Sequence, residues 1–492
     1  MQGQGTDIRA WYEAAPYASF AYPQCAPEQL QAVAWLHGLR APVPATARVL
    51  ELGCSSGGNL IPVALRFPRA HALGLDISGT DIAHGQDWIR RLDLDNVELR
   101  EADLLELDPA SLGQFDYIVC HGLYSWVPRT AQDAMLAICR RALAPEGVVY
   151  VSYNTYPGWK SRELIRDAML LHCSDRTDAG ERLAYARAMV GFLREVAARD
   201  SVLARTVEEN IKILSRTGAD YLAHDYLEPD NHPCYLRDFL AHAGRHGLIY
   251  LGESEPSRSV PANYGARIAA ALSTSFGDDR VRREQYLDFA VNRSFRQTLL
   301  VHEAQAARIA PAIRRERLRD LHLSAHLPCH DGATRLDGSA QTYGPRQGHN
   351  LSSPHAMVKL AADLLTARWP GTISREELRA GIQAALPPAQ AVPEATLDTA
   401  LDELGEYLVT RGLARIRLAP VALAGMPGAA PRLEAGAKRQ IDALAEGERF
   451  VCNLWHESVE LAADELAALK AGDGAVDARL AESIRSKGLL AA

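Results

Sequence analysis

Val49-Leu-Glu-Leu-Gly-Cys-Ser-Ser-Gly-Gly-Asn-Leu60 reads as a buried strand that runs into a glycine turn and then a helix. Gly53, Gly57 and Gly58 lack the Cβ that would hold a nucleotide cofactor away from the backbone. A dinucleotide fingerprint, G-x-G-x-x-G from Gly53, needs glycine at 55, where Ser55 stands. Glu51 also lies two residues before the first glycine, close to where a pyrophosphate would sit. An acid there opposes a dianion and suits a ligand with a positive end, such as S-adenosylmethionine with its ammonium and sulfonium.

Outward from this turn, short apolar stretches alternate with amphipathic ones: Arg48-Val-Leu-Glu-Leu, Ala72-Leu-Gly-Leu-Asp, Val97-Glu-Leu-Arg, Phe115-Asp-Tyr-Ile-Val-Cys and Val148-Val-Tyr-Val-Ser-Tyr. This alternation predicts βαβ units on a parallel sheet. Two acids follow Glu51 at the next strand ends. Asp76 is placed to accept from the ribose hydroxyls and Asp103 from the adenine amino group. Three acids in register at successive strand ends are a stronger signal than one glycine loop.

Helical spacing then takes over at about 161–225, for instance Leu183, Met189, Val190, Leu193 and Val196. The sheet pattern resumes in a helix ended by Gly247, a strand at Leu248-Ile-Tyr-Leu-Gly and another at Ser294-Phe-Arg-Gln-Thr-Leu-Leu-Val. The expected divisions are an N-terminal lid or cap at 1–47 and a core at 48–303 with inserts at about 161–225 and 261–292. A helical and β linker follows at 304–354. After it come a winged-helix-like module at 355–420, with a capping box at Ser374 and Glu377, and a small αβ module at 421–492.

The 492 residues suit about three domains, with 47% hydrophobic and 23% charged residues. No transmembrane run or signal peptide is read, so a cytoplasmic location is expected. Eight cysteines without a C-x-x-C pair are expected to be free thiols. With 53 basic against 61 acidic residues, the formal charge of −8 argues against a nucleic-acid partner.

Longer phrases carry a resemblance. They are Tyr12-Glu-Ala-Ala-Pro-Tyr-Ala-Ser19, Glu51 to Pro62, Phe115 to Pro128, Tyr150-Val-Ser-Tyr-Asn-Thr-Tyr-Pro-Gly-Trp159, His224-Asp-Tyr-Leu-Glu228, Asn292 to Leu300 and Val451-Cys-Asn-Leu-Trp-His-Glu457. Together they resemble class I S-adenosylmethionine-dependent methyltransferases that carry a methyltransferase regulatory domain, which include rickettsial protein-lysine methyltransferases. The resemblance implies an α/β fold with a Rossmann-like seven-stranded core, helical inserts and C-terminal accessory modules, and S-adenosylmethionine as cofactor. Cofactor contacts are expected from Tyr17, Glu51, Gly53, Cys54, Ser55, Gly58, Asn59, Asp76, Ile77, Asp103, Leu104 and His121, with Tyr12, Tyr17 and Ser19 as a lid. The chain departs from the family at Ser55 and at Cys25-Ala26, the latter in a segment expected to border the substrate.

The expected acceptor is a protein lysine amine. Only about 0.04% of such an amine is neutral at pH 7, a deficit of roughly 4.6 kcal/mol, so a desolvating aromatic pocket helps. Tyr124, Trp126 and Tyr153 are taken as its walls, with Tyr156 beside them and a tyrosine or His121 bonding the nucleophile. No general base is named. Small-molecule or O-methylation, and a non-catalytic cofactor-binding role, stay open. No metal set is assigned: His322, His326 and His330 are interrupted by Pro328. A homodimer through the helical insert or the C-terminal modules is the expected self-association.

Overall fold

The computed structural model describes residues 19–176, 178–214, 226–228, 230–421, 431–472 and 474–490. Tyr12, Tyr17, the end of the first insert and most of the Pro/Gly/Ala stretch at 424–431 lie outside the described residues. Seven strands form one sheet: β1 (Arg48–Leu52), β2 (His71–Asp76), β3 (Val97–Glu101), β4 (Phe115–Cys120), β5 (Leu143–Asn154), β6 (Leu248–Glu253) and β7 (Phe295–His302). Their order is β3-β2-β1-β4-β5-β7-β6. β7 runs antiparallel to both of its neighbours, while the pairings from β3 through β5 are parallel.

This is the Rossmann-like, seven-stranded α/β sheet expected from the sequence. The apolar runs of β1, β4 and β5 arise because both faces are covered. Val49, Tyr117, Val119, Val148 and Tyr150 enter one core layer, and Leu50, Leu52, Ile118, Val149, Val151 and Tyr153 the other. The chain leaves β1 toward β3 and returns at β4, so the carboxyl ends of β1 and β4 flank the point where the order reverses.

Helices Trp159–His172, Ala179–Val196 and Val202–Leu214 form the first insert, and Ala266–Phe276 and Arg280–Val291 lie between β6 and β7. The stretch expected as a linker departs from that reading. Strand His322–Ser324 pairs antiparallel with Arg415–Arg417, and Ala325, Leu327, Tyr343 and Leu351 share a core with helices Ala356–Arg368, Arg375–Ala385 and Glu394–Thr410. Turn-rich composition signals a break in regular structure there, and the few apolar residues between the turns nevertheless suffice to join the core. The Ser374–Glu377 capping box forms as read. No helix among the described residues is long and apolar enough to cross a membrane.

Candidate active site

A cavity of about 260 Å³ opens at the β1/β4 switch point. Its floor is the turn after β1, where Gly53 (φ +74°), Ser55 (φ +45°) and Gly57 (φ +77°) take left-handed backbone conformations. Ser55 tolerates this because its groups are held: its N–H donates to Asp76 Oδ2 (2.7 Å) and its hydroxyl to Asp81 Oδ2 (3.1 Å). At Gly58, an added Cβ would stand 2.2 Å from the Ser19 carbonyl oxygen, and the Gly58 N–H donates to Ser19 Oγ (2.8 Å). The turn thus binds the start of the described N-terminal segment, where the lid is expected.

Glu51, Gly53, Cys54, Ser55, Asn59, Asp76, Ile77, Asp103, Leu104, His121 and Trp126, all singled out in the sequence, line the cavity. Gly58 is not among the lining residues and packs against Ser19 instead. Glu51 is buried, and Asn59 Nδ2 donates to its Oε1 (2.8 Å). Its Oε2 is buried without a hydrogen-bond partner among the described residues. Desolvation, with help from nearby Asp76 and opposed by the Asn59 bond, pushes the Glu51 carboxyl up to about 8.

A buried carboxylate oxygen without a partner calls for a positively charged ligand. Asp76 has one oxygen held by the Ser55 N–H and the other by the Ser78 N–H (2.9 Å), which fixes the carboxylate and leaves further lone pairs for ribose hydroxyls. Asp103 Oδ1 is held by the Leu105 N–H (2.8 Å). Leu75, Ile77, Ala102 and Leu104 supply apolar wall for a base. These groups fit S-adenosylmethionine from its amino-acid end at Glu51 to its adenine near Asp103.

Asn59 is the hub of a longer chain. Its Oδ1 accepts from the Tyr22 N–H (3.1 Å) and lies 3.0 Å from His456 Nε2. Arg66 Nη2 stands 3.3 Å from His456 Nδ1, so Nδ1 is the acceptor and Nε2 carries the proton that goes to Asn59. Burial and the Arg66 charge hold His456 at about 3, so it is neutral. Asn59 and His456, 397 positions apart, therefore act together to orient the Glu51 carboxyl. The Val451–Glu457 phrase is visible in the sequence, but nothing local in it points to Glu51.

On the acceptor side the structure rearranges the aromatic set. Tyr153 does not line the cavity: it stacks on Phe239 (centroids 4.1 Å, 27°) and shares a 3.0 Å hydrogen bond with Thr298. The pleat explains this, since 149, 151 and 153 share one face of β5 and 150 and 152 the other. Tyr150 and Ser152, on the cavity side, hold His121 Nδ1 at 3.1 and 3.3 Å. Tyr124 is also buried away from the cavity, edge-on to Phe239, with its hydroxyl 2.8 Å from His242 Nδ1. Tyr156 lies outside as well, donating to Glu163 Oε1 (2.5 Å) under the Lys160 ammonium.

Trp126 keeps its wall position, edge-on to Trp159. His121 packs against Tyr22 with the rings tilted by 36° (centroids 4.0 Å), and desolvation lowers it to about 4. Among the wall residues with no role assigned from sequence are Tyr22, Phe20, Asp81 and Glu228. Glu228 ends the quoted His224–Glu228 phrase, is 1% exposed, and its backbone carbonyl accepts from Arg166. Cys25 and Ala26 are buried, and Ala26 lines a second cavity with Arg415, Arg417 and Trp455 instead of this one. His330 is committed to the Gly344 carbonyl (3.0 Å), away from any shared point with His322 and His326.

Residues 49–147 match the family model for a methyltransferase domain, and residues 218–302 that for a predicted methyltransferase regulatory domain. RP789 of Rickettsia prowazekii is 38% identical over 292 residues, 59% of this chain and 52% of that protein, so the match spans about half of that relative's length. RP028 of the same organism is 34% identical over 233 residues, 47% of this chain and 93% of that protein. The solved structure of PKMT2 from Rickettsia typhi in complex with AdoHcy superposes with a TM-score of 0.83 at 25% identity, covering 97% of this chain and all of that one. With a sheet, a turn and a set of acids that fit the methyl donor, the chain belongs to the class I S-adenosylmethionine-dependent methyltransferases that carry a methyltransferase regulatory domain.

Proposed function

We propose that the protein transfers a methyl group from S-adenosylmethionine to the side-chain amine of a protein lysine. One observation carries the acceptor class. The cavity wall holds five acidic side chains, Glu51, Asp76, Asp81, Asp103 and Glu228, of which Glu51 takes on its charge as a cation binds, and no lysine or arginine among its described residues. His121 adds no charge at neutral pH, because burial holds it near 4. Such a wall repels a carboxylate or phosphate acceptor and attracts an ammonium.

Bound S-adenosylmethionine supplies a methyl carbon activated by its sulfonium. The chain's own residues position the acceptor. Glu51, Asp76 and Asp103 stand at or just past the ends of β1, β2 and β3 and are assigned to the cofactor, whereas Glu228 reaches the same wall from the segment 218–302 and is assigned to the incoming ammonium. Trp126 and Leu123 make the apolar wall in which the amine, its proton lost to solvent, presents a lone pair. The likeness to rickettsial protein-lysine methyltransferases and the net acidity of the chain support the same reading. Exposed Leu171, Phe192, Val196 and Val202 on the insert support self-association through that segment.

The test is transfer of labelled methyl groups from S-adenosylmethionine into proteins of a cell extract, followed by acid hydrolysis and mass spectrometry. Alkali-stable label recovered as methyl-lysine is expected. Label confined to small molecules or to alkali-labile esters overturns the lysine assignment, and cofactor binding without transfer overturns catalysis.

A further inference from the structure

We propose that Asp133, His242 and His246 form a binding site for a divalent transition metal ion of the zinc class, outside the cofactor cavity. The two histidines stand one turn apart at the end of helix Leu236–Arg245, with ring centroids 5.7 Å apart. Asp133 faces them from helix Arg129–Ala142. Its Oδ1 lies 3.2 Å from His242 Nε2 and 3.1 Å from His246 Nε2, and the three atoms all fall within 4.8 Å of one another. Ligands bonded at about 2.1 Å around a tetrahedral ion stand about 3.4 Å apart, so only small shifts are needed to admit one.

Two imidazoles and one carboxylate suit zinc and its first-row neighbours, whereas calcium and magnesium prefer all-oxygen sets. The second layer is also in place. Tyr124, 1% exposed, puts its hydroxyl 2.8 Å from His242 Nδ1. With the ion on Nε2, the neutral His242 ring carries its one proton on Nδ1 and donates it to the Tyr124 oxygen, which fixes the ring and its tautomer. The ring protons that now point from the two Nε2 atoms to Asp133 vacate Nε2 as the ion binds, and His242's is carried on Nδ1 after exchange with solvent.

Asp133 is largely exposed, which gives an entry path and a water-filled fourth position. Arg129 and Arg245, close enough to act on Tyr124, oppose a further cation, so micromolar affinity is expected. Tyr124 opens the turn Tyr124–Trp126, whose Trp126 walls the cofactor cavity, so an ion here ties that turn to helix Leu236–Arg245.

The experiment loads chelator-treated, desalted full-length protein with Zn²⁺, measures bound zinc by mass spectrometry, and titrates Zn²⁺ calorimetrically. Wild type is expected to hold about one equivalent, and Asp133→Asn and His246→Ala to bind at least tenfold more weakly. Both variants change side chains at or near the surface, and circular dichroism checks that they fold. Uptake by wild type below about a tenth of an equivalent shows a hydrogen-bonded trio alone and overturns the site. Equal uptake by the variants places the metal elsewhere, for example on Cys329, and overturns it equally.

Discussion

Glu51 sets a pH dependence on cofactor binding that can be worked out in advance. In the cofactor-free protein its carboxyl titrates near 8, chiefly through desolvation, so at neutral pH it is mostly protonated. A positively charged ligand end needs the carboxylate. Removing the proton costs about 1.4 kcal/mol at pH 7 and about 2.7 kcal/mol at pH 6, and nothing above the titration point. The sign follows: affinity rises with pH up to about 8 and then levels.

The perturbation is Glu51→Gln, and the assay is calorimetric titration with S-adenosylhomocysteine from pH 6 to 9. The ligand's own amine titrates identically with both proteins, so it cancels in the ratio of variant to wild-type Kd. That ratio should grow about ninefold from pH 6 to 7, about fivefold from 7 to 8, and flatten by 9. Wild type should also release about 0.9 proton on binding at pH 7, seen by changing the buffer's ionisation enthalpy, and the variant none. A ratio that does not move with pH, or equal proton release by both proteins, refutes the assignment of Glu51 to the ligand's positive end.

Other outcomes follow from named contacts. His456→Ala removes a buried donor to Asn59 and should raise the S-adenosylmethionine KM by about 5- to 30-fold with kcat little changed; His456→Gln, which can still donate, should restore part of it. Glu228→Gln should leave S-adenosylhomocysteine binding within about twofold while lowering kcat/KM for the protein acceptor at least tenfold, which steady-state kinetics with labelled cofactor will show. Tyr153→Phe deletes only the hydroxyl that meets Thr298, so denaturant unfolding should report about 1 kcal/mol lost with turnover preserved. Gly58→Ala should weaken cofactor binding, because its Cβ collides with the Ser19 carbonyl and displaces the segment docked there; an unchanged Kd in a folded variant would rule this out.

The sheet is legible because its central strands are buried on both faces and read as apolar runs, and because Glu51, Asp76 and Asp103 sit at or just past the ends of β1, β2 and β3, which the pattern locates. Of the acceptor residues, only Trp126 and His121 stand where expected. Tyr153 departs from its expected place although the period of two is available: Tyr150 and Ser152 alternate with it and face His121. Tyr124 follows β4 in a short 3-10 turn whose facing has no periodic signature, so its direction toward His242 is set by tertiary packing alone. Glu228 and His456 lie in phrases that carry the family resemblance, but a contact between residues far apart in the chain leaves no local trace.

The bond from His456 through Asn59 to Glu51 has a practical reach beyond catalysis. The stretch 49–147 that matches a methyltransferase domain is not a free-standing binding unit, since one of the groups that aims its carboxylate arrives from a module some 300 residues later. A truncated chain ending after β7 would keep the sheet and the glycine turn yet lose the strut behind the methyl donor. For an organism, a frameshift late in the gene would then weaken the grip on the methyl donor while every strand of the sheet is still made.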